Sequence, residues 1–193
     1  MTTSGPSPDD RLVGQLVAST FGGLRQATRY YDEEETSSIV IVRCLDAPEP
    51  GQASISTVGL HRFANLLDEQ DVRVELAALT RASDVQMSNV LATAAFFVAK
   101  HTWLAAPGVI FPDILSSYDL DTSMRHVVWT GPFPWPALGS ASIRNGLIVH
   151  WLIAVPIYDS ERDMIEAKGF PTFERLMELS KVEVDDLRRG PIL

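Results

Sequence analysis

The chain has 193 residues, 46% hydrophobic and 21% charged, an ordinary soluble-protein composition with room for one sizeable core and disorder confined to the ends. Its 16 Lys plus Arg against 25 Asp plus Glu give a formal charge of −9, which repels phosphate backbones, argues against direct nucleic-acid binding and makes a basic partner electrostatically welcome. The apolar runs at 91–99 and 147–155 fall short of the roughly 20 residues that cross a bilayer, and a single cysteine cannot form an internal disulfide, so the cytoplasm is the expected location.

Residues 1–10 (MTTSGPSPDD) have neither the basic nor the apolar region of a signal peptide and read as a disordered lead, with 11–193 expected to form one domain. Asp9 or Asp10 is placed to cap a helix whose apolar positions Leu12, Val13, Leu16, Val17 and Phe21 recur at helical steps until Gly22 and Gly23 stop it. A short strand is expected over 28–31. The like-charge run 32–35 (DEEE) reads as a solvated turn, with a cation or basic-partner site as the sharper alternative. Residues 37–44 (SSIVIVRC) and 53–60 (ASISTVGL) read as strands around a turn-rich loop at 46–51. A third strand covers 72–79, with Val72, Val74 and Leu76 on one face and Arg73, Glu75 and Ala77 on the other. These three segments suggest an antiparallel sheet.

The period then changes: Val85, Val90, Leu91, Ala94, Ala95, Phe97 and Val98 lie at helical spacing after the candidate caps Ser83 and Asp84. Residues 102–125 read as loop with at most a turn of structure, and 124–129 as a strand. The segment 146–155 (GLIVHWLIAV) is apolar at nearly every position, as expected of a strand covered on both faces, and it hands over through Pro156 to an acidic helix start. Ser160 with Asp163 forms a capping-box-like pair there. Gly169 is placed to end that helix, and Pro171 stands in the first turn of another with Phe173, Leu176 and Met177 as its stripe. The fold class is α+β, a mostly antiparallel sheet with helices packed on it.

No phosphate-cradling glycine loop, dinucleotide fingerprint, nucleophile elbow or zinc-ligand spacing occurs. The histidines His61, His101, His126 and His150 are not spaced to share a metal, and His150 in its apolar strand reads as a hydrogen-bonded core residue. Cys44, inside a strand, reads as a small buried apolar residue rather than a nucleophile. Asp113, Asp119 and Asp121 lie in loop, where carboxylates usually stay hydrated. No residue is therefore assigned a catalytic, cofactor-binding or metal-ligating role. The segment 129–136 (WTGPFPWP) is the strongest local candidate for an interaction surface, against the reading that its aromatics cap the sheet as core.

The strand at 55–60 (ISTVGL), Pro107-Gly108 after a long helix, the run 151–162 (WLIAVPIYDSER), Gly169 and the closing 185–191 together resemble the suppressor of fused domain family, over about 12–189. The ending departs from that family's acid, two residues, Arg-Pro pattern, since Gly190 separates Arg189 from Pro191. Animal members hold a transcription-factor peptide between two domains, whereas this chain has room for the first domain alone, so neither that clamp nor any partner-binding residue transfers. Bacterial single-domain members are thought to be immunity proteins that neutralise toxin domains. The resemblance thus implies a non-enzymatic protein-binding domain without cofactor, its partner a protein such as a basic toxin. An enzyme with an unrecognised carboxylate or histidine site, or a regulatory signalling partner, stands as the alternative.

Overall fold

The first helix, α1 (Pro8–Phe21), shows how local chemistry sets an element boundary in the computed structural model, which describes residues 5–192. Ser7 Oγ accepts the Asp10 N–H at 3.0 Å, and the Asp10 carboxylate accepts the Ser7 N–H at 3.0 Å, a reciprocal capping box. The cap is therefore Ser7 rather than Asp9 or Asp10, and helix already occupies the end of the stretch read as a loose lead; residues 1–4 of that lead lie outside the described residues. Val13, Val17 and Phe21 are buried as expected, while Leu12 is exposed. After Gly22, Gly23 sits at φ 66° with the Leu45 carbonyl oxygen 2.2 Å from where a Cβ would stand, so only glycine lets the chain enter the sheet there.

Strand β1 (Leu24–Tyr31) is longer than expected, because its whole length pairs antiparallel with β2 (Ser38–Leu45), from Leu24 opposite Leu45 to Tyr31 opposite Ser38. Its mostly exposed polar side chains gave no apolar alternation to read. Strand β3 (Gln52–Val58) follows, then an unanticipated hairpin of β4 (Leu66–Leu67) and β5 (Gln70–Asp71), and then β6 (Arg73–Arg81). As expected, β2, β3 and β6 pair antiparallel. Helix α2 (Met87–His101) starts after Gln86, later than the candidate caps Ser83 and Asp84; those two residues belong to the preceding turn, and Val85 is exposed.

The expected loop at 102–125 carries a short strand, β7 (Ile110–Phe111), and one 3₁₀ turn, Ile114–Ser117. Strands β8 (His126–Thr130), β9 (Ser140–Ser142) and β10 (Ile148–Ile157) follow, then helices α3 (Asp159–Lys168) and α4 (Phe170–Ser180). Strand β10 runs through Pro156 instead of stopping before it. The N and O of a strand residue point to the same side, and the Pro156 carbonyl accepts a bond from Arg189 at 2.8 Å. Its missing N–H therefore points away from β8, where the pairing with β6 has already ended at Ile153, and no ladder bond is lost. The acidic helix start also sits two residues earlier than Ser160/Asp163, since Glu161 Oε2 accepts the Tyr158 N–H at 2.9 Å. Gly169 closes α3 as expected.

Eight of the strands form one sheet in the order β1-β2-β3-β6-β10-β8-β7, with β9 beside β10, while β4 and β5 pair only with each other. Among the described residues every pairing is antiparallel except the central one between β6 and β10. Both faces are covered, and β10 displays the pleat that serves them: Leu152 and Ala154 pack in the core under α2, while Trp151, Ile153 and Val155 pack with Val13, Val17, Phe173 and Met177 of α1 and α4. Every position of Val149, and from Trp151 to Ile157, is buried for that reason. The fold is α+β.

Candidate functional site

The most buried polar residues fall into internal hydrogen-bond networks. Glu75 is fully buried on β6, on the face turned toward α1. Its carboxylate accepts bonds from the Thr57 hydroxyl, from the backbone N–H groups of Gly59 at 2.8 Å, Leu60 at 3.3 Å and His61 at 3.2 Å, and from His61 Nδ1 at 2.6 Å. With every lone pair engaged, Glu75 works as a buried clasp for the turn that follows β3, and no acceptor is left to act as a base. Gly59, at φ 109°, opens that turn. His61 Nε2 faces Asp10 Oδ1 at 3.8 Å, which brings the N-terminus of α1 over the same network.

His126 is equally committed. Its Nδ1 accepts the Asp113 N–H at 2.8 Å, which leaves the proton on Nε2 to be donated to Asp159 Oδ1 at 2.8 Å. That bond, aided by Arg125 and Arg162, holds the Asp159 carboxyl below its ordinary range. His101 is exposed at the end of α2, where a basic side chain complements the helix dipole, and His150 is half-buried rather than fully in the core. Cys44 has no exposed surface, and burial pushes its thiol pKa up, away from thiolate chemistry. Asp113 pairs with Arg125 at 2.6 Å and Asp121 with Arg188 at 3.4 Å, while Asp119 is exposed; these carboxylates do not converge, and no group of three or more metal-donor side chains does among the described residues.

One network joins two segments far apart in sequence. Glu161, fully buried at the start of α3, takes both arms of Arg189, at 2.7 Å and 2.9 Å, and also accepts the N–H groups of Tyr158 and Ile192, each at 2.9 Å. The acidic helix start and the closing segment thus form one ion-paired lock, a partnership the separate residues gave no sign of.

Two concave surfaces involve segments singled out above. A furrow of about 1130 Å³ runs between the start of α1 and the β1–β2 ribbon, with Glu33, Glu34 and Glu35 at one end. The run 32–35 is mainly the solvated turn expected, but its first member is anchored: Asp32 pairs with Lys100 at 2.7 Å, which holds its carboxyl well below the usual range. The second surface is a groove of about 540 Å³ between the loop after β8 and α4. The segment 129–136 divides its aromatics between the two roles considered for it. Trp129 and Trp135 are core, Trp135 stacking at 4.6 Å from Phe21, and this inward anchor leaves Phe133 55% exposed at the groove. Met177 and Val184 lie at its buried side; Glu174, half-buried and accepting the Thr130 hydroxyl at 2.8 Å, joins exposed Glu178 and Lys181 along α4 and its end.

Comparison with known proteins places this architecture. The family model described as "Suppressor of fused protein (SUFU)" matches residues 35–190. The immunity protein YqcF of Bacillus subtilis (strain 168) is 33% identical over 195 residues, covering 98% of this chain and 100% of that protein. The crystal structure of a SUFU homolog from Neisseria gonorrhoeae FA 1090 superposes with a TM-score of 0.75 at 14% identity, over 96% of this chain and 97% of the other. Drosophila Suppressor of Fused gives 0.64 at 11% identity, over 97% of this chain and 52% of that one, so this chain spans about half of the fly protein.

Proposed function

The chain belongs to the suppressor of fused family, and from that membership we propose that it is a non-enzymatic binding protein of the cytoplasm, an immunity protein that seizes a toxin and holds it inactive. The observation that carries this reading is the 33% identity to immunity protein YqcF over the full length of both chains. The match spans the whole of both chains, so the two proteins share an entire domain rather than one segment of it.

The physical chemistry supports it. Glu75, Glu161 and His126 are engaged on all sides by structural bonds, and Cys44 is sealed from solvent, so the groups best suited to catalysis serve the fold. The formal charge of −9 favours a cationic target, because long-range attraction raises the rate of capture. No helix among the described residues is long and apolar enough to cross a membrane.

The test is protection. Proteins encoded by the genes that neighbour this one are each expressed in a sensitive host with and without this chain, and survival is scored together with recovery of the two proteins as a complex. Survival that requires this chain, with a stable complex, is the expected result; killing that proceeds unchanged in its presence would refute the reading.

A further inference from the structure

We propose that the groove between the loop after β8 and α4 is the seat for an apolar anchor residue of the protein partner, flanked by a lysine or arginine that meets Glu174 and Glu178. This deepens the protein-binding reading above and rests on it. The apolar half of the argument is the disposition of the loop. Pro132, Pro134 and Pro136 restrict its backbone, the Trp135 N–H closes a turn onto the Pro132 carbonyl at 2.8 Å, and the buried Trp135 ring pins the loop to α1. Phe133 is thereby left outward on the groove that Met177 also lines, and a partner side chain entering it meets a backbone that needs little ordering. At about 540 Å³ the groove accepts a residue as large as phenylalanine or tryptophan with its neighbours.

The charged half comes from α4. Glu174 and Glu178 are four residues apart on one helix face, a like-charge spacing that destabilises a helix. Glu178 also lies in the last turn, where the helix dipole favours cations, and that turn contains no basic residue. Among the described residues neither carboxylate has a cationic group within 4.0 Å, so both bring uncompensated charge to the groove they line. Lys181 lines the groove too but forms no such pair. Two acids placed against each other, one of them also against the helix dipole, beside an exposed aromatic, are relieved together when a partner cation arrives.

The experiment uses the full chain, isotopically labelled, and three capped peptides: acetyl-Gly-Lys-Phe-Lys-Gly-amide, the same peptide with Ala for Phe, and the same with Glu for both Lys. Amide shifts are followed by NMR titration. The Lys-Phe-Lys peptide should move the signals of Gly131, Phe133, Lys181 and Val182, while the other two bind roughly tenfold more weakly or less. Glu174→Gln combined with Glu178→Gln should remove the preference over the Glu-containing peptide and leave that over the Ala-containing one; glutamine retains the acceptor for the Thr130 hydroxyl, and unchanged spectra elsewhere report an intact fold. Equal binding of all three peptides, shifts centred elsewhere, or no saturable shift at millimolar peptide would overturn the proposal. So would groove shifts that grow with protein concentration alone, which would assign the groove to a second copy of the chain. In the protection assay, full immunity from a Phe133→Ala/Glu178→Lys variant would sink the groove and leave the immunity reading standing. Selective peptide binding with no protection by the native chain would sink immunity and leave the groove.

Discussion

At the scale of single residues, the informative groups are the buried acids. Arg189 is 9% exposed and Glu161 fully buried, so removing the arginine leaves a carboxylate in the interior with two of its four donors gone. Arg189→Ala is expected to lower stability by about 3–5 kcal/mol, roughly 10 °C in the unfolding midpoint, as read by thermal and urea melts; a change under about 1 kcal/mol would show the lock to be dispensable. Asp159 gives a pH signature. Its carboxyl is depressed from 3.8 chiefly by the bond from His126, so the stabilisation is whole above that value and fades as pH falls through the depressed one. Asp159→Asn should therefore be less stable than the native chain at neutral pH, and the gap between their urea midpoints should close as pH falls below the ordinary carboxylate range. A gap that stays constant across this range would refute the assignment.

At the scale of elements, backbone geometry rather than hydrophobicity decides where several begin and end. Gly23→Ala must accept a left-handed φ and a Cβ 2.2 Å from the Leu45 carbonyl oxygen, so the entry to β1 must shift. A loss of at least about 1–2 kcal/mol is expected, with hydrogen-exchange protection falling first along β1; a variant as stable as the native chain, with β1 amides still protected, would contradict that. The same distinction explains what could be read in the chain. Buried segments declared themselves, β6 and α2 through 2- and 3.6-residue periods and β2 and β10 through runs of apolar or β-branched residues. Strand β1 and the β4–β5 hairpin did not, being held by backbone pairing with side chains largely in solvent. Helix starts at Ser7 and Tyr158 were displaced from their expected places because capping depends on which backbone N–H a side chain reaches, and neighbouring polar residues compete for that role. The groove was half legible. Residues 129–136 were a visible candidate, but which aromatic turned inward depended on Phe21, and the acids of α4 came alongside only through folding.

At the scale of the molecule, a fold shared with suppressor of fused proteins carries an acidic surface over a core with covered faces. The charge predicts a kinetic effect on partner capture: the association rate with a cationic toxin should fall steeply between about 50 and 500 mM salt while dissociation changes much less. Stopped-flow or surface-binding rates check this, and an association rate indifferent to salt would remove charge from the mechanism. The central pairing of β6 with β10 has a consequence for synthesis. The antiparallel ribbons on either side each join strands near in sequence, but the seam between them must wait for a strand encoded much later. Until β10 emerges from the ribosome, β6 presents a naked apolar edge that can recruit another nascent copy. The interval between translating those strands is therefore the period in which this chain is most open to aggregation, and slow decoding there should cost more soluble product than slow decoding anywhere after Ile157.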